Sequence, residues 1–267
     1  MDKIKMVLCD LDGTLLTSQG RVSDATIAKI KEIKAQGILF GLATGRDVDV
    51  CEPLYSTWGI DGLVDIMMGI NGAHIVDYVK DEEHFFDYTD GKEFFKVLEH
   101  FKDLPVNFAI SHEGILKVAF DDDFNEEFEI IEQTPVKVVD YQELLKIEHP
   151  KIHVIFKQEY LDLVSKRAQE FSDEKLVAVN TGSIMWEVFS KNISKANGLK
   201  HLAHTHEIRV SDIMVFGDGD NDLEMIEAAG VGVAMANGSK KVLAAANYIT
   251  DSNDEEGIAN FLDKFEF

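Results

Sequence analysis

The stretch "KMVLCDLDGTLL", residues 5–16, decides the fold of this chain. Its apolar run Met6–Cys9 is typical of a strand that is buried on both faces of a parallel sheet. Asp10 and Asp12 follow this run directly. An Asp-Gly turn accounts for Asp12 and Gly13, but it gives no reason for Asp10 at the end of a buried strand. Because carboxylates in such a place are costly unless a cation or hydrogen bonds hold them, the pattern indicates a ligand site.

The first eighty or so residues and the residues after Ser190 alternate strands and helices. "SDATIAKIKEIKAQG", residues 23–37, has apolar side chains at helical spacing, and Ser23 is a suitable N-cap. "ILFGLAT" at 38–44 is the next buried strand, and the alternation returns after Ser190 with "DIMVFGDG" at 212–219. This order predicts an α/β fold with a doubly wound, Rossmann-like parallel sheet.

The middle of the chain, residues 83–189, has a different pattern. "VNFAISHEGILKVAF" at 106–120 is typical of two strands joined by a short turn, and "KIHVIFK" at 151–157 indicates a further strand. Adjacent strands with short connections favour antiparallel pairing. We therefore predict an α+β domain inserted into a core that is formed by residues 1–82 and 190–267.

The composition limits the partners and the location of the protein. The chain has 267 residues, 45% of them hydrophobic, and a formal net charge of −23. An acidic surface repels phosphate backbones, so nucleic acid is not expected as a partner. The two cysteines, Cys9 and Cys51, do not indicate a disulfide framework, and no apolar stretch approaches the roughly 20 residues that span a bilayer. We expect a cytoplasmic protein without a membrane partner.

Two short segments outside the first strand contain groups that suit a phosphate. Thr44 and Gly45 end the second apolar strand with a hydroxyl and an exposed backbone N–H, although a Thr-Gly pair is also an ordinary strand end. Lys195 follows Ser194 at the start of a predicted helix. A lysine in a first turn is mildly unfavourable unless an anion offsets its charge, and by itself it is more simply explained as a solvated side chain.

The segment "FGDGDNDLEM", residues 216–225, places three carboxylates within five positions. Asp218, Asp220 and Asp222 repel one another, so a hard cation is their natural partner. The alternative is an acidic loop in which Asp220 or Asn221 caps the next helix. We favour the cation, because these residues follow a buried strand at the edge of the sheet where ligands bind.

Two further clusters of ligand-type side chains are better explained without a ligand. His201, His204 and His206 lie close together, but no cysteine or nearby carboxylate completes a zinc site, and an exposed helix end is expected. The acidic run 121–123 is expected to be a solvated helix start.

Taken in order, these segments resemble the four motifs of the haloacid dehalogenase-like superfamily. The matching residues are Asp10-Leu11-Asp12-Gly13-Thr14, Thr44-Gly45-Arg46, Lys195 and Gly217-Asp218-Gly219-Asp220-Asn221-Asp222. The run from 231 to 262 and "INGAHI" at 70–75 resemble segments of its Cof-type phosphatases. The insertion between Thr44 and Lys195 is similar in position to the C2-type cap of that family.

The resemblance implies a Mg²⁺-dependent phosphatase acting on small phosphate monoesters, such as sugar phosphates, through an aspartyl-phosphate. Asp10 would be the nucleophile and Asp12 the general acid and base. Asp10, Asp218 and the backbone carbonyl of Asp12 would bind the metal, and Asp222 would orient its shell. The groups implied to hold phosphate oxygens are Leu11, Thr44, Gly45, Lys195 and Asn221.

Two other functions stay open at this point. A phosphomutase or phosphotransferase could use the same scaffold, and the chain could be a non-catalytic regulator that binds a phosphorylated metabolite. The expected partner is in every case a small phosphorylated molecule. Its identity, the oligomeric state and the roles of Arg46, Asp47 and Asp220 do not follow from the sequence, and Asp47 stands where proline often follows the Thr-Gly-Arg motif.

Overall fold

The computed structural model describes residues 4–132 and 134–267. The chain divides into two compact units, one formed by residues up to Phe85 together with Ser194–Phe267 and the other by Phe86–Ile193. Both breaks fall slightly later in the chain than the boundaries predicted from the sequence.

The secondary structure elements are as follows. The strands in chain order are β1 Met6–Cys9, β2 Leu39–Ala43, β3 Ile66–Gly69, β4 His74–Asp77, β5 Glu82–Phe85, β6 Asn107–His112, β7 Ile115–Val118, β8 Val136–Val138, β9 Lys151–Ile155, β10 Leu176–Asn180, β11 Met185–Ser190, β12 Ile213–Gly217, β13 Val231–Met235 and β14 Tyr248–Thr250. The α-helices are α1 Asp24–Ala35, α2 Val48–Cys51, α3 Tyr55–Trp58, α4 Gly91–Phe101, α5 Asn125–Glu132, α6 Tyr141–Leu144, α7 Leu161–Gln169, α8 Lys195–Thr205, α9 Leu223–Ala228, α10 Lys240–Ala245 and α11 Gly257–Lys264.

The first unit contains a sheet with the strand order β14-β13-β12-β1-β2-β3-β4-β5. The pairs from β14 to β3 are parallel, and β4 and β5 add an antiparallel edge. This confirms the predicted doubly wound α/β fold. Strand β1 lies between β2 and β12, so the chain leaves β1 on one side and returns on the other. In open α/β sheets, ligands bind outside the carboxyl ends of the strands at such a point of reversal.

The apolar residues of β1 form the centre of this unit, since Met6, Val7, Leu8 and Cys9 are fully buried. Helix α1 begins as the sequence predicts, because the Ser23 side chain accepts a hydrogen bond from the Thr26 backbone N–H. Within the described residues, no helix combines the length and the apolar character that crossing a membrane requires.

The second unit contains a sheet with the strand order β10-β11-β9-β6-β7-β8, in which β7 and β8 are parallel and the other pairs antiparallel. Helices α4 and α7 bury Phe94, Phe101 and Val164 in one cluster with Ile152 and Val154 of β9. The inserted domain is therefore of the predicted α+β class. Helix α4 starts at Asp90, whose side chain accepts hydrogen bonds from two backbone N–H groups of the first turn.

Candidate active site

The carboxyl end of β1 places Asp10 in a buried position beside β12. The Asp10 backbone N–H donates to the carbonyl oxygen of Phe216 at 2.9 Å, and the residue is 6% exposed. The Nζ atom of Lys195, the first residue of α8, donates to Asp10 Oδ1 at 2.6 Å and to Asp222 Oδ1 at 2.5 Å. Lys195 is 0% exposed. The simpler explanation from the sequence, a solvated side chain at position 195, is therefore wrong. The lysine joins two of the predicted site aspartates.

Asp218 contacts the loop that follows β1. Its Oδ1 accepts a hydrogen bond from Thr14 Oγ1 at 2.7 Å. Gly13 has φ +78°, and a Cβ atom there would lie 2.6 Å from Asp218 Oδ2. Position 13 thus requires glycine both for its backbone conformation and for the space that the Asp218 carboxylate occupies.

Asp222 organises the loop after β12. Its Oδ2 accepts hydrogen bonds from the backbone N–H groups of Asp218 and Gly219, at 3.0 and 2.9 Å. A Cβ atom on Gly217 would lie 2.6 Å from the Cγ of Asp222. Because its other oxygen binds Lys195, the Asp222 carboxylate is engaged on both sides, which suits a residue that orients its neighbours.

The electrostatics of the cluster are dominated by excess negative charge. Burial, followed by the charge of Asp222, raises the pKa of Asp10 well above its usual range, and Lys195 opposes this rise. Burial also raises the pKa of Asp218. Burial lowers the pKa of Lys195, but the carboxylates of Asp10 and Asp222 outweigh it and raise that pKa above its ordinary value. One buried ammonium therefore faces more than one carboxylate.

The donor set of this cluster fits a hard divalent cation. Among the described residues, the group able to hold a metal is Asp10, Asp218 and Asp222, whose ligand oxygens all lie within 4.8 Å of one another. Carboxylate oxygens are the ligands that Mg²⁺ prefers. Burial is the largest cause of the raised pKa values of Asp10 and Asp218, and the charge of Asp222 adds to both.

Asp12 has a different environment from Asp10. Its side chain is 52% exposed, and it accepts two hydrogen bonds from Arg46, at 2.8 Å from Nε and 2.7 Å from Nη2. Such a two-pronged pair fixes the orientation of a carboxylate. The sequence left the role of Arg46 open, and the structure shows that Arg46 binds and orients the Asp12 carboxylate.

Apart from Lys195, the residues predicted to hold phosphate follow the ends of the neighbouring strands β1, β2 and β12. Thr44 is buried, and its Oγ1 accepts a hydrogen bond from the Arg46 backbone N–H at 3.1 Å. Asn221 donates from Nδ2 to Asn71 Oδ1 at 3.0 Å, and a Cβ atom on Gly45 would lie 3.5 Å from the same Asn71 amide. Leu11, also in the set, is fully buried between the two aspartates.

Asp220 lies outside the buried cluster. It is exposed, and its carboxylate binds Ser239 Oγ and Lys241 Nζ, both at 2.6 Å. The hydrogen bond from Lys241 lowers the pKa of Asp220 below its usual value. Asp220 therefore links this loop to the start of α10, and the backbone N–H groups of the loop are bound by Asp222 instead.

The two clusters that were discounted from the sequence have structural roles. His206 Nε2 binds Asp77 Oδ2 at 2.6 Å. No metal-ligand group within the described ranges includes His201, His204 or His206. In the acidic run, Asp122 accepts a hydrogen bond from the Phe124 backbone N–H, and Asp123 forms an ion pair with Lys157. The acidic run agrees with the expected solvated helix start. The expected exposed helix end is wrong for His206, whose side chain is 8% exposed and pairs with the buried Asp77.

The chain matches a known protein family over most of its length. The family model described as haloacid dehalogenase-like hydrolase matches residues 7–262. The chain belongs to this family. The resemblance drawn from the four motifs is thereby confirmed, and the chain is an enzyme of the hydrolase type.

Individual relatives extend over nearly the whole chain. The chain is 30% identical to the putative phosphatase YxeH of Bacillus subtilis, with 96% of each chain covered. It is also 30% identical to 5-amino-6-(5-phospho-D-ribitylamino)uracil phosphatase YbjI of Escherichia coli, covering 98% of this chain and 96% of that one. Among solved structures, a phosphatase of the haloalkanoate superfamily from Bacteroides thetaiotaomicron is 28% identical, with a TM-score of 0.81 and coverage of 98% and 95%.

Proposed function

We propose that this protein is a Mg²⁺-dependent phosphatase that hydrolyses small phosphate monoesters through an aspartyl-phosphate on Asp10. The observation that carries the proposal is the buried Asp10 carboxylate, held by Lys195 at 2.6 Å in a cluster with excess negative charge. Relatives that match nearly the full length of the chain are named as phosphatases, which supports the same reaction class.

Asp10 is the nucleophile of the proposed reaction. Lys195 binds Oδ1 of Asp10, and we assign the attack on phosphorus to Oδ2. A bond forms between this oxygen and phosphorus while the bond between phosphorus and the ester oxygen breaks. The product of the first step is an aspartyl-phosphate and a free alcohol.

Asp12 moves the protons of both steps. It donates a proton to the departing ester oxygen, and it then accepts one from the water that attacks the aspartyl-phosphate and releases inorganic phosphate. Its exposure gives it access to both partners, and the two hydrogen bonds from Arg46 hold its carboxylate in a fixed direction.

The remaining groups bind the phosphate oxygens and the charge that develops on them. The Thr44 hydroxyl, the Asn221 amide, the Lys195 ammonium and the backbone N–H groups of Leu11 and Gly45 are assigned to this role. Asp10, Asp218 and the Asp12 backbone carbonyl would hold Mg²⁺, with Asp222 orienting the site. When bound, the cation supplies positive charge that lowers the repulsion between the phosphate and its attacker.

The proposed substrate class is small phosphorylated metabolites, including sugar phosphates. The net charge of −23 disfavours nucleic acid, whose backbone the acidic surface repels. The Escherichia coli relative is named as a phosphatase of a phosphoribitylamino-uracil, which is compatible with a metabolite of this size.

A phosphate-release screen tests the proposal. The enzyme is assayed with Mg²⁺ over a broad panel of phosphate monoesters, and the substrates are ranked by kcat/KM. We expect release of inorganic phosphate from the wild type and none above background from Asp10→Asn. An isomerised sugar phosphate without free phosphate would indicate a mutase instead, and absence of turnover over the whole panel would indicate a binding protein.

A further inference from the structure

The segment Ile70–Gly72 has an unusual backbone. Three successive residues have positive φ angles, +49° at Ile70, +51° at Asn71 and +97° at Gly72. A positive φ is a clear outlier for a β-branched residue such as isoleucine. Conformations of this kind persist where the surrounding structure requires them, and they concentrate at functional sites.

The same segment joins two of the predicted phosphate-binding segments. The Ile70 backbone N–H donates to the Arg46 carbonyl oxygen, and the Asn71 N–H donates to the Thr44 carbonyl oxygen, both at 2.9 Å. On its other side, a Cβ atom on Gly72 would lie 2.9 Å from the carbonyl oxygen of Ser194, the N-cap of α8. The strained turn therefore packs between the end of β2 and the helix that begins with Lys195.

The Asn71 side chain extends this contact to the third segment. Its Oδ1 accepts a hydrogen bond from Asn221 Nδ2 at 3.0 Å. At the other end of the Asn221 amide, Oδ1 lies 2.5 Å from the position that a Cβ atom would take on Gly219. Asn221 is exposed, so the hydrogen bond to Asn71 orients its carboxamide, and glycine at position 219 leaves room for its oxygen.

We propose that Asn71 is a positioning residue for the phosphate site and acts through Asn221. Its Oδ1 engages one N–H of the Asn221 amide, which directs the second N–H of the same group toward a phosphate oxygen. The left-handed backbone at Ile70 and Asn71 is what brings the Asn71 side chain to this place. The inference rests on the proposed phosphatase function, in which Asn221 binds phosphate.

The test separates the side chain of Asn71 from its backbone. Asn71→Gly removes the amide but keeps the left-handed conformation, which glycine adopts without strain. Asn71→Ala removes the amide and strains the backbone as well. Loss of one hydrogen bond that acts in binding is expected to raise KM about tenfold in Asn71→Gly, with a similar rise in the inhibition constant of inorganic phosphate and kcat nearly unchanged.

A double-mutant cycle with Asn221→Ala shows whether the effect passes through Asn221. We expect Asn71→Gly to change KM little when it is added to Asn221→Ala. Additive effects of the two substitutions would contradict a role through Asn221. Wild-type KM in Asn71→Gly, with a loss confined to Asn71→Ala, would reduce Asn71 to a backbone role and overturn the proposal.

A second variant keeps the test independent of folding in the glycine variant. Asn71→Asp also tolerates the left-handed backbone and keeps an acceptor for Asn221, but its charge repels phosphate. We expect its melting temperature to hold and its KM to rise whether or not Asn221 is present, because charge repulsion does not pass through that residue. The rise in KM of Asn71→Gly should instead disappear in the Asn221→Ala background, and a rise that persists there would overturn the proposal. If the wild type hydrolyses phosphoesters and Asn71→Gly has the same KM, only this inference is contradicted. If the wild type shows no turnover, the proposed function is contradicted together with it.

Discussion

Each unit of the protein contains a buried lysine, and the two differ in the charge around them. Lys195 in the first unit is 0% exposed and binds Asp10 and Asp222, with Asp218 in the same cluster. Lys151 in the inserted unit has a side chain 4% exposed and forms an ion pair with Glu187 at 2.9 Å. The first lysine meets an excess of carboxylates, and the second pairs with Glu187 on an adjacent strand.

The difference separates the proposed active site from a structural ion pair. The Lys151–Glu187 pair joins the adjacent strands β9 and β11, whose residues His153 and Glu187 lie opposite each other. The cluster at Lys195 instead gathers residues from three distant segments at the carboxyl end of β1. Uncompensated negative charge in a buried place is destabilising, so it persists where a cation or a reaction uses it.

The largest expected effect comes from Asp10→Asn, which removes the nucleophile but keeps the shape of the side chain. We expect kcat/KM for the best phosphate ester to fall by roughly 10⁴-fold or more, as for the loss of other catalytic nucleophiles. Phosphate release measures the loss, and thermal unfolding verifies the fold. Asp220→Asn is the matched control on an exposed aspartate bound to Lys241, and it is expected to stay near wild type. Undiminished hydrolysis by Asp10→Asn would reject the assignment.

Chelation tests whether a metal ion balances the excess negative charge around Lys195. Treatment with EDTA is expected to reduce phosphate release to background, because the carboxylates of the cluster then lack the cation that suits them. Addition of Mg²⁺ should restore the activity. Asp218→Asn should require more Mg²⁺ for half-maximal activity, since one ligand is weakened. Turnover that is indifferent to EDTA would contradict a metal site.

Lys195→Met is expected to reduce kcat by roughly 10²- to 10³-fold, because it removes one group that stabilises charge in the transition state. Methionine has a similar length, so the pocket is kept, although the buried carboxylates lose their counter-charge. The double variant Lys195→Met with Asp222→Asn keeps the nucleophile Asp10 and lowers the charge imbalance of the single variant, but it should not recover turnover. Recovery would indicate that Lys195 serves only to balance charge.

The smallest effect, a change in the free energy of unfolding, is expected when both residues of the Lys151–Glu187 pair are replaced by apolar ones. Lys151→Met alone leaves Glu187 buried without its lysine and should destabilise the protein by about 3–5 kcal/mol. Lys151→Met with Glu187→Leu should recover most of this loss, because apolar pairs often replace buried ion pairs without cost. Urea unfolding measures both. Equal destabilisation by the single and double variants would contradict a simple ion pair.

The sequence predicted the part of the site that depends on strand ends. Asp10 and Asp218 follow apolar runs that form neighbouring parallel strands, and the carboxyl ends of such strands meet at one edge. The parallel order of the core followed from the alternation of apolar strands with helices. These features depend on local periodicity and on general rules of α/β sheets, so they are available before any contact is known.

The contacts that were not predicted join residues far apart in the chain. Arg46 binds Asp12 across 34 positions, and Asn221 binds Asn71 across 150. Such pairs depend on the exact approach of two loops, which periodicity does not specify.

The strand "KIHVIFK" was predicted, but its first residue, Lys151, has no local signal that distinguishes a buried lysine from a solvated one. The left-handed backbone at Ile70 is also invisible in the sequence, because isoleucine is a poor choice for it.

The central claim is that Asp10 carries the phosphoryl group during turnover. The most direct test is rapid acid quenching of the enzyme with Mg²⁺ and its best substrate, followed by proteolysis and peptide mass spectrometry. We predict a phosphoryl group on Asp10, in the peptide that contains "CDLDG", and none in the same peptide from Asp10→Asn. A phosphoryl group on another residue, with Asp10 unmodified throughout turnover, would contradict the account.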